Sequence, residues 1–437
     1  MEYEYQSEKE ELESSQYERA LLVGLQHETD NESFARSMEE LKNLAKACNM
    51  EPVGVATQKS DHVHKALYIG TGKAAEVREA AALLEADVVV FDDALTPSQL
   101  SNLQKELKKP VLDRTTLILD IFASRARTRE AKLQVETARL KYLLPRLVGM
   151  HDALTRQGGT SGSMSSRGAG EKKLELDRRK IEKRITELER SLKEIANERQ
   201  VQRKKRQQAR IPLVALVGYT NAGKSTILNA MVDQYVQDEE KKVLEKDMLF
   251  ATLDTTVRKI CTGNNQDFLL SDTVGFIHKL PHGLVKAFRA TLEEVENADL
   301  LVHVVDRSDC DYREHMQTTK ELLEQMHTSD LPMLTVYNKA DRCEQGVEYP
   351  KLVGGDKLYL SAKEASSIEL LVQTILDRIY EDYVQAEFLI PYTDGEVVSY
   401  FMEQSEVLES AYEENGTRIR VKCHKADRDK YKAYAVA

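Results

Sequence analysis

The stretch Ile211–Met231, IPLVALVGYTNAGKSTILNAM, decides how the chain is read. Its apolar run Leu213–Val217 reads as a buried strand that breaks at Gly218, with a helix-forming segment from about Lys224. Between them Gly218, Tyr219, Thr220, Asn221, Ala222, Gly223, Lys224 and Ser225 fit G-x-x-x-x-G-K-[ST], a loop whose backbone N–H groups wrap a polyphosphate, with Thr226 completing it. Gly218 and Gly223 let the main chain approach phosphate with no Cβ in the way. Lys224 supplies charge to the outer phosphates, Ser225 a hydroxyl for Mg²⁺, and the following helix its positive N-terminal end. A strand-to-helix turn that merely needs glycine is the plain alternative.

The order of the later motifs decides against that alternative. In SDTVGF, Asp272 and Gly275 form a D-x-x-G in which the carboxylate can reach the metal and a glycine N–H the terminal phosphate. LTVYNKAD then ends a strand with Asn338, Lys339 and Asp341. An aspartate there accepts from both N1–H and the exocyclic amine of guanine, whereas adenine would leave it unpaired. Ser361, Ala362 and Lys363 follow the short apolar stretch Lys357–Leu360. These motifs in this order read as a P-loop GTPase domain over 211–385, binding GTP and GDP.

With 437 residues, the chain has room for about three domains of ordinary size. Hydrophobic content of 41% beside 31% charged residues is that of a soluble globular protein. Five scattered cysteines with no C-x-x-C spacing argue for reduced thiols and against a disulfide framework or zinc site. The acidic N-terminus MEYEYQSEKEELESSQYE is unlike a signal peptide, and no apolar run is long enough for a transmembrane helix. A cytoplasmic monomer without a membrane anchor is expected. A net charge of −11 gives no general reason for nucleic-acid binding, so that case rests on where the positive charges lie.

Residues 1–18 read as an acidic disordered tail. Over 19–113, ALLVGL, VGVA, ALYIG, DVVVF and VLD alternate with helical segments Phe34–Ala47, Lys73–Glu85 and Pro97–Leu107, which predicts a parallel α/β domain. Its GTGK, Gly70–Lys73, could hold a second nucleotide, or simply turn a strand into a helix, since no serine or threonine follows the lysine. Residues 114–210 read as a long antiparallel helical hairpin, with Thr155–Gly170, TRQGGTSGSMSSRGAG, as an irregular tip loop containing Gly158 and Gly159. Leu174, Ile181, Ile185, Leu188, Leu192 and Ile195 recur at heptad spacing. The first helix carries Arg125, Arg127, Arg129, Arg139, Lys141 and Arg146. The second runs into Arg199, Arg203, Lys204, Lys205, Arg206 and Arg210, which face no acidic residue in the sequence. Such a run is either a solvated face or a surface for an RNA crevice. Residues 386–437 read as a small α+β domain, with AEFLIPY, a helix near Glu396–Leu408, and TRIRVKC alternating as a half-buried strand.

These motifs resemble the HflX family of translation-factor-related GTPases. The resemblance is carried by GYTNAGKS, FATLD (Phe250–Asp254), DTVGFI, LVKAFRATLEEV, HVVD and NKAD, and continues through YIGTGK, FDDALTPSQLSNLQ and the hairpin to IPYTDGEVVS. It implies a GTP hydrolase that binds the large ribosomal subunit and its RNA, splits or rescues stalled ribosomes, and points the hairpin tip towards the peptidyl-transferase region. GAGEKK stands where the family has a GPGETQ-like sequence, so Ala169, Lys172 and Lys173 depart from its pattern. By the same resemblance Thr252 of FATLD is the switch threonine on Mg²⁺, with Thr255 and Thr256 as alternatives. In related GTPases that use potassium, an asparagine at the place of Asn221 offers a carbonyl to a K⁺ beside the phosphates; a simple loop hydrogen bond is the plain alternative. Lys224, Thr252 and Gly275 would then act on the reacting phosphate. Phe276 stands where many regulatory GTPases carry a water-orienting glutamine, so free hydrolysis should be slow and stimulated by the ribosome. The competing reading is an RNA-remodelling enzyme that uses ATP at GTGK.

Overall fold

The computed structural model of the chain describes residues 18–27, 30–157, 164–208, 211–236, 256–263, 266–279, 289–326, 328, 330–343 and 348–436. The chain divides into two compact units. The first comprises Met1–Gln202, Asp247–Asp254 and Ile277–Ala290, and the second Arg203–Lys246, Thr255–Phe276 and Thr291–Ala437.

The first unit begins β1 (Arg19–Gln26), α1 (Asn31–Ala47), β2 (Glu51–Lys59), α2 (Thr71–Leu83), β3 (Val88–Phe91), α3 (Pro97–Leu107) and β4 (Val111–Asp113). Its strands pair in the order β2-β1-β3-β4, all parallel. The VVVF run of β3 is buried throughout, as a strand covered on both faces requires. Thr96 and Gln99 close a capping box over α3, with Pro97 at the first helical position. The stretch ALYIG is not the strand the sequence suggests: Tyr68 makes only an isolated bridge to His64. Tyr68 and Ile69 are nevertheless buried in the core, and a short apolar run looks the same whether a strand or a packed turn buries it.

Asp113 caps α4 (Arg114–Arg125) by accepting from the Thr116 N–H at 3.0 Å, and α5 (Arg129–Gln157) and α6 (Met164–Gln208) follow. The two long helices run antiparallel. Arg199 pairs with Glu130 at 2.6 Å near one end of the contact, and Arg184 with Glu136 at 2.8 Å further along. Ile185 and Leu188 of the heptad seam are buried. Met164–Gly170 is helical, because an existing helix extends by propagation alone and tolerates two glycines at roughly 1 kcal/mol each. Arg199 does face an acid, Glu130, and Arg139, Lys141 and Arg146 also pair, with Asp120, Glu189 and Asp113. Linear sequence hides partners that lie on another helix.

The second unit contains β5 (Leu213–Val217), α7 (Lys224–Tyr235), β6 (Thr256–Ile260), β7 (Phe268–Asp272), α8 (Arg289–Glu296), β8 (Leu300–Asp306), α9 (Tyr312–Gln325), β9 (Met333–Asn338), β10 (Lys351–Val353), β11 (Lys357–Tyr359) and α10 (Ala365–Ile379). The strand order is β10-β11-β9-β8-β5-β7-β6, parallel from β11 to β7 with an antiparallel strand at each edge. Chain order reverses between β5 and β8, so the loops leaving their carboxyl ends diverge and open a crevice.

The same unit ends with β12 (Tyr383–Ile390), α11 (Gly395–Gln404), β13 (Glu406–Glu413), β14 (Gly416–His424) and α12 (Lys425–Lys430), the strands forming an antiparallel sheet β12-β14-β13. In β14, Thr417, Ile419, Val421 and Cys423 are buried, and the last three pack with Phe388 of β12 and Phe401 of α11. The helix expected to reach Leu408 stops at Gln404. Ser405 is extended, and Val407 instead pairs with Val421 as part of β13. All five cysteines are free thiols, and among the described residues no helix is long and apolar enough to cross a membrane.

Candidate active site

The loop Gly218–Ser225 leaves the fully buried strand β5 and turns into α7 at the crevice. Its two end glycines are required by geometry. Gly218 has φ 146° and a Cβ there would strike the Val304 carbonyl, while Gly223 has φ 96° and a Cβ would strike the Asn338 side chain. Asn221 is also left-handed, at φ 61°, a conformation asparagine tolerates better than most residues.

Lys224, the first residue of α7, is only 6% exposed. Its Nζ donates to the carbonyls of Gly218 at 3.1 Å and Tyr219 at 2.8 Å. Burial pulls its pKa down to about 8, with the Asp272 charge opposing that shift. Beneath the loop His303 of β8 is pushed down to about 4, first by burial and then by the charge of Lys224, so it is neutral at ordinary pH. The ring of His315 stacks on Tyr219 at a centroid distance of 3.9 Å and braces the loop from α9.

Ser225 Oγ donates to Asp272 Oδ2 at 2.7 Å, which brings together a hydroxyl and a fully buried carboxylate. This all-oxygen pair fits a hard divalent cation such as Mg²⁺. The residues after Asp272 fold back onto the loop. Thr273 donates to the Leu216 carbonyl at 2.6 Å, Phe276 N–H donates to Gly218 O at 3.1 Å, and Thr220 N–H donates to Phe276 O at 2.8 Å. The Phe276 ring itself is buried.

Asn338, at the end of β9, ties two loops together. Its Nδ2 donates to the Ala222 carbonyl at 3.0 Å and its Oδ1 accepts from the Ala362 N–H at 3.0 Å. Lys339 donates to Asn221 O at 2.9 Å and to Asp306 Oδ2 at 2.7 Å. Ser361 and Ala362 are buried, whereas Asp341 and Lys363 are exposed at the rim. The structure thus gathers the Gly218–Thr226 loop, Asp272, Gly275, Asn338, Lys339 and Ser361–Lys363 at one end of one sheet. Thr256 opens β6 in register with Asp272. Thr252, Thr255, Gly158 and Gly159 lie outside the described residues, as do the side chains of Arg203, Lys204, Lys205 and Arg206 on α6. Sequence reasoning missed Asp306 as the partner of Lys339. It also missed His303 and His315; the HVVD motif was the available signal for the first two.

At GTGK the geometry is different. The Gly70 N–H already donates to Gln58 Oε1 at 2.9 Å, and Lys73 pairs with Glu76 at 2.9 Å.

Residues 35–123 match a family described as GTP-binding GTPase N-terminal, 125–206 one described as GTP-binding GTPase Middle Region, and 213–339 one described as 50S ribosome-binding GTPase. The GTPase HflX of Caldanaerobacter subterraneus is 42% identical over 92% of this chain and 90% of its own length. Its namesake from Escherichia coli is 38% identical over 92% of each chain. A solved GTP-binding protein in complex with GDP, SsGBP, has a TM-score of 0.44 at 25% identity, covering 83% of this chain and 99% of that one. With three matched regions in the same order and relatives this similar over nearly the whole length, the chain is a GTP hydrolase and belongs to the HflX GTPase family.

Proposed function

We propose that the chain is a GTP-gated factor of the large ribosomal subunit, which docks with GTP bound, splits or rescues stalled ribosomes, and is reset by hydrolysis. One observation carries the reading: a guanine-nucleotide site matching a family described as 50S ribosome-binding GTPase shares a chain with a long helical hairpin ending in a basic run. In this reading Lys224 and the N–H groups of the loop neutralise the phosphates, Gly275 N–H meets the terminal phosphate, and Asp341 reads guanine. Ser225 and Asp272, with Thr252 or one of its neighbours, would hold Mg²⁺, which supplies charge neutralisation and orientation when bound. Asn221, in the phosphate loop, would offer a carbonyl oxygen to a K⁺ beside the phosphates, where a cation would neutralise developing charge.

Phe276 offers water no polar atom from its buried ring, so the free protein should hydrolyse GTP slowly and depend on its partner to order the switch segments. Cosedimentation with large subunits in GTP, GDP and a non-hydrolysable analogue tests the proposal. Binding should be strongest with the analogue and should fall steeply with salt, by roughly one unit of log K per tenfold rise in salt for each phosphate contact. Reversing Arg203, Lys204, Lys205 and Arg206 to Glu should weaken docking and flatten that slope while sparing GTP affinity. Indifference of docking to nucleotide would overturn the gating, and an unchanged four-Glu variant would reduce the basic run to a solvated helix face. Equal hydrolysis rates in KCl and NaCl at matched ionic strength would remove the K⁺ role.

A further inference from the structure

The β9–β11–β10 edge of the second unit's parallel sheet carries a face outside the nucleotide site. Side chains alternate along its strands. Leu334, Val336 and Leu358 share a buried core with Leu371 and Ile375 of α10. On the opposite face Tyr337, Tyr359 and Lys351 lie in one cross-strand row, and Thr335, Lys357 and Val353 form the next. The Tyr337 and Tyr359 rings stack at a centroid distance of 4.7 Å, 13° from parallel. Tyr312, at the start of α9, meets Tyr337 edge-on at 6.2 Å. The guanidinium carbons of Arg307 and Arg313 lie 4.6 Å and 5.7 Å from the Tyr312 centroid. All of these residues belong to the second unit.

Two properties set this face apart from ordinary packing. Tyr337 is only 8% exposed, yet its hydroxyl has no hydrogen-bond partner among the described residues, which is unusual for a buried phenol. Burial, then Tyr359 and Tyr312, raise its pKa, so it stays a neutral donor. The second property is charge. Arg307, Arg313 and Lys357 have no ion pair among the described residues. Against them stand Glu348, already paired with Lys351, and Asp356 at the turn before β11. In a chain of net charge −11, uncompensated cations beside a tyrosine stack suit a polyanion that also presents flat rings.

We infer that the β9–β11–β10 face is a docking surface for single-stranded RNA, a base extending the Tyr337–Tyr359 stack while Arg307, Arg313 and Lys357 meet the flanking phosphates. The inference rests on the ribosomal reading above and gives it a second contact, separate from the hairpin. A single strand is required because the bases of a duplex are already stacked on one another and hidden from an aromatic side chain.

The basic run of the hairpin would mask the effect, so the parent protein is the full-length chain carrying Arg203→Glu, Lys204→Glu, Lys205→Glu and Arg206→Glu. Fluorescence anisotropy of a labelled single-stranded RNA dodecamer compares this parent with the added changes Tyr359→Leu, Tyr359→Phe and Arg313→Glu. Tyr359→Leu should weaken binding at least fivefold, whereas Tyr359→Phe, which keeps the ring, should stay within twofold of the parent. Arg313→Glu should weaken binding and flatten its salt dependence while leaving GTP affinity unchanged. Duplex RNA of the same sequence should bind at least fivefold more weakly than the single strand. Should Tyr359→Leu also disturb the neighbouring Ser361 loop and lose GTP, the exposed Arg313 decides the outcome. A parent that does not bind the single strand, or RNA binding that neither change weakens, overturns the surface. Weakened large-subunit docking with RNA affinity intact overturns it too, and would assign the face to a protein. Failure of the wild type to cosediment with large subunits would instead overturn the ribosomal reading, and RNA binding that still depends on Tyr359 would then keep the surface.

Discussion

Two turns in this chain have the same outline, a glycine-rich stretch followed by lysine at the start of a helix, and the structure treats the two lysines in opposite ways. Lys224 is buried, faces carbonyls of its own loop and has a pKa pulled down to about 8. Lys73 sits one turn from Glu76, pairs with it on the surface, and follows a glycine whose N–H is already used by Gln58. A desolvated ammonium gains much from an incoming phosphate because little else compensates its charge, whereas one that is partly solvated and already paired gains little. The difference lies in burial and surroundings, which a short motif does not encode.

The largest test of this contrast is Lys224→Ala. Removing the buried cation from the phosphate loop should weaken GTP binding at least a hundredfold in titration calorimetry, with the fold retained by circular dichroism, because Asn338 still holds Ala222 and Ala362. Binding within tenfold of wild type would show that the backbone N–H groups alone carry the affinity. Asp341→Asn comes next. It turns one acceptor facing guanine into a donor and should cost about 1–3 kcal/mol, with GTP losing its advantage over other triphosphates in a competition assay. Unchanged GTP affinity would move base recognition away from Asp341.

Much of this site was legible because its chemistry is local. The turn from β5 into α7, the D-x-x-G, and the N-K-x-D at the end of β9 each need particular residues within a few positions, and apolar strands punctuate them. What stayed hidden was set by partners distant in sequence. The pairing of Lys279 with Asp92 spans 187 positions and that of Asn338 with Ala222 spans 116. Arg199 looked unpaired for the same reason. Local composition also misled where helix propagation outweighed it, at Met164–Gly170, and where Ser405 ended a helix so that Glu406–Glu413 could join the C-terminal sheet.

A smaller effect should separate the two lysines by pH. The amine of Lys224 loses its proton in the free protein near pH 8, and a bound polyphosphate stabilises the charged form, raising that value. Nucleotide affinity should therefore be full below pH 8 and decline as pH rises through 8, by about tenfold per pH unit until the pKa of the complex is reached. Calorimetry at pH 8.5 in buffers of different ionisation enthalpy should detect proton uptake on binding. Uptake that persists in Lys224→Ala would assign the proton to another group.

The smallest expected effect belongs to Lys73→Ala, and it is the sharper test of the comparison because the sequence alone offers GTGK as a phosphate site. Its ion pair with Glu76 is an i,i+3 contact on α2, with the lysine side chain 23% exposed and the glutamate 67% exposed. Contacts of this kind contribute about 0.2–0.5 kcal/mol and weaken in salt. The variant should lose no more than that in urea denaturation and should bind GTP within twofold of wild type. Its ATP titration should be indistinguishable from that of the parent. A measurable ATP affinity in the parent that disappears in Lys73→Ala would show that phosphate can displace both Glu76 and Gln58, and that burial is not what separates these two turns.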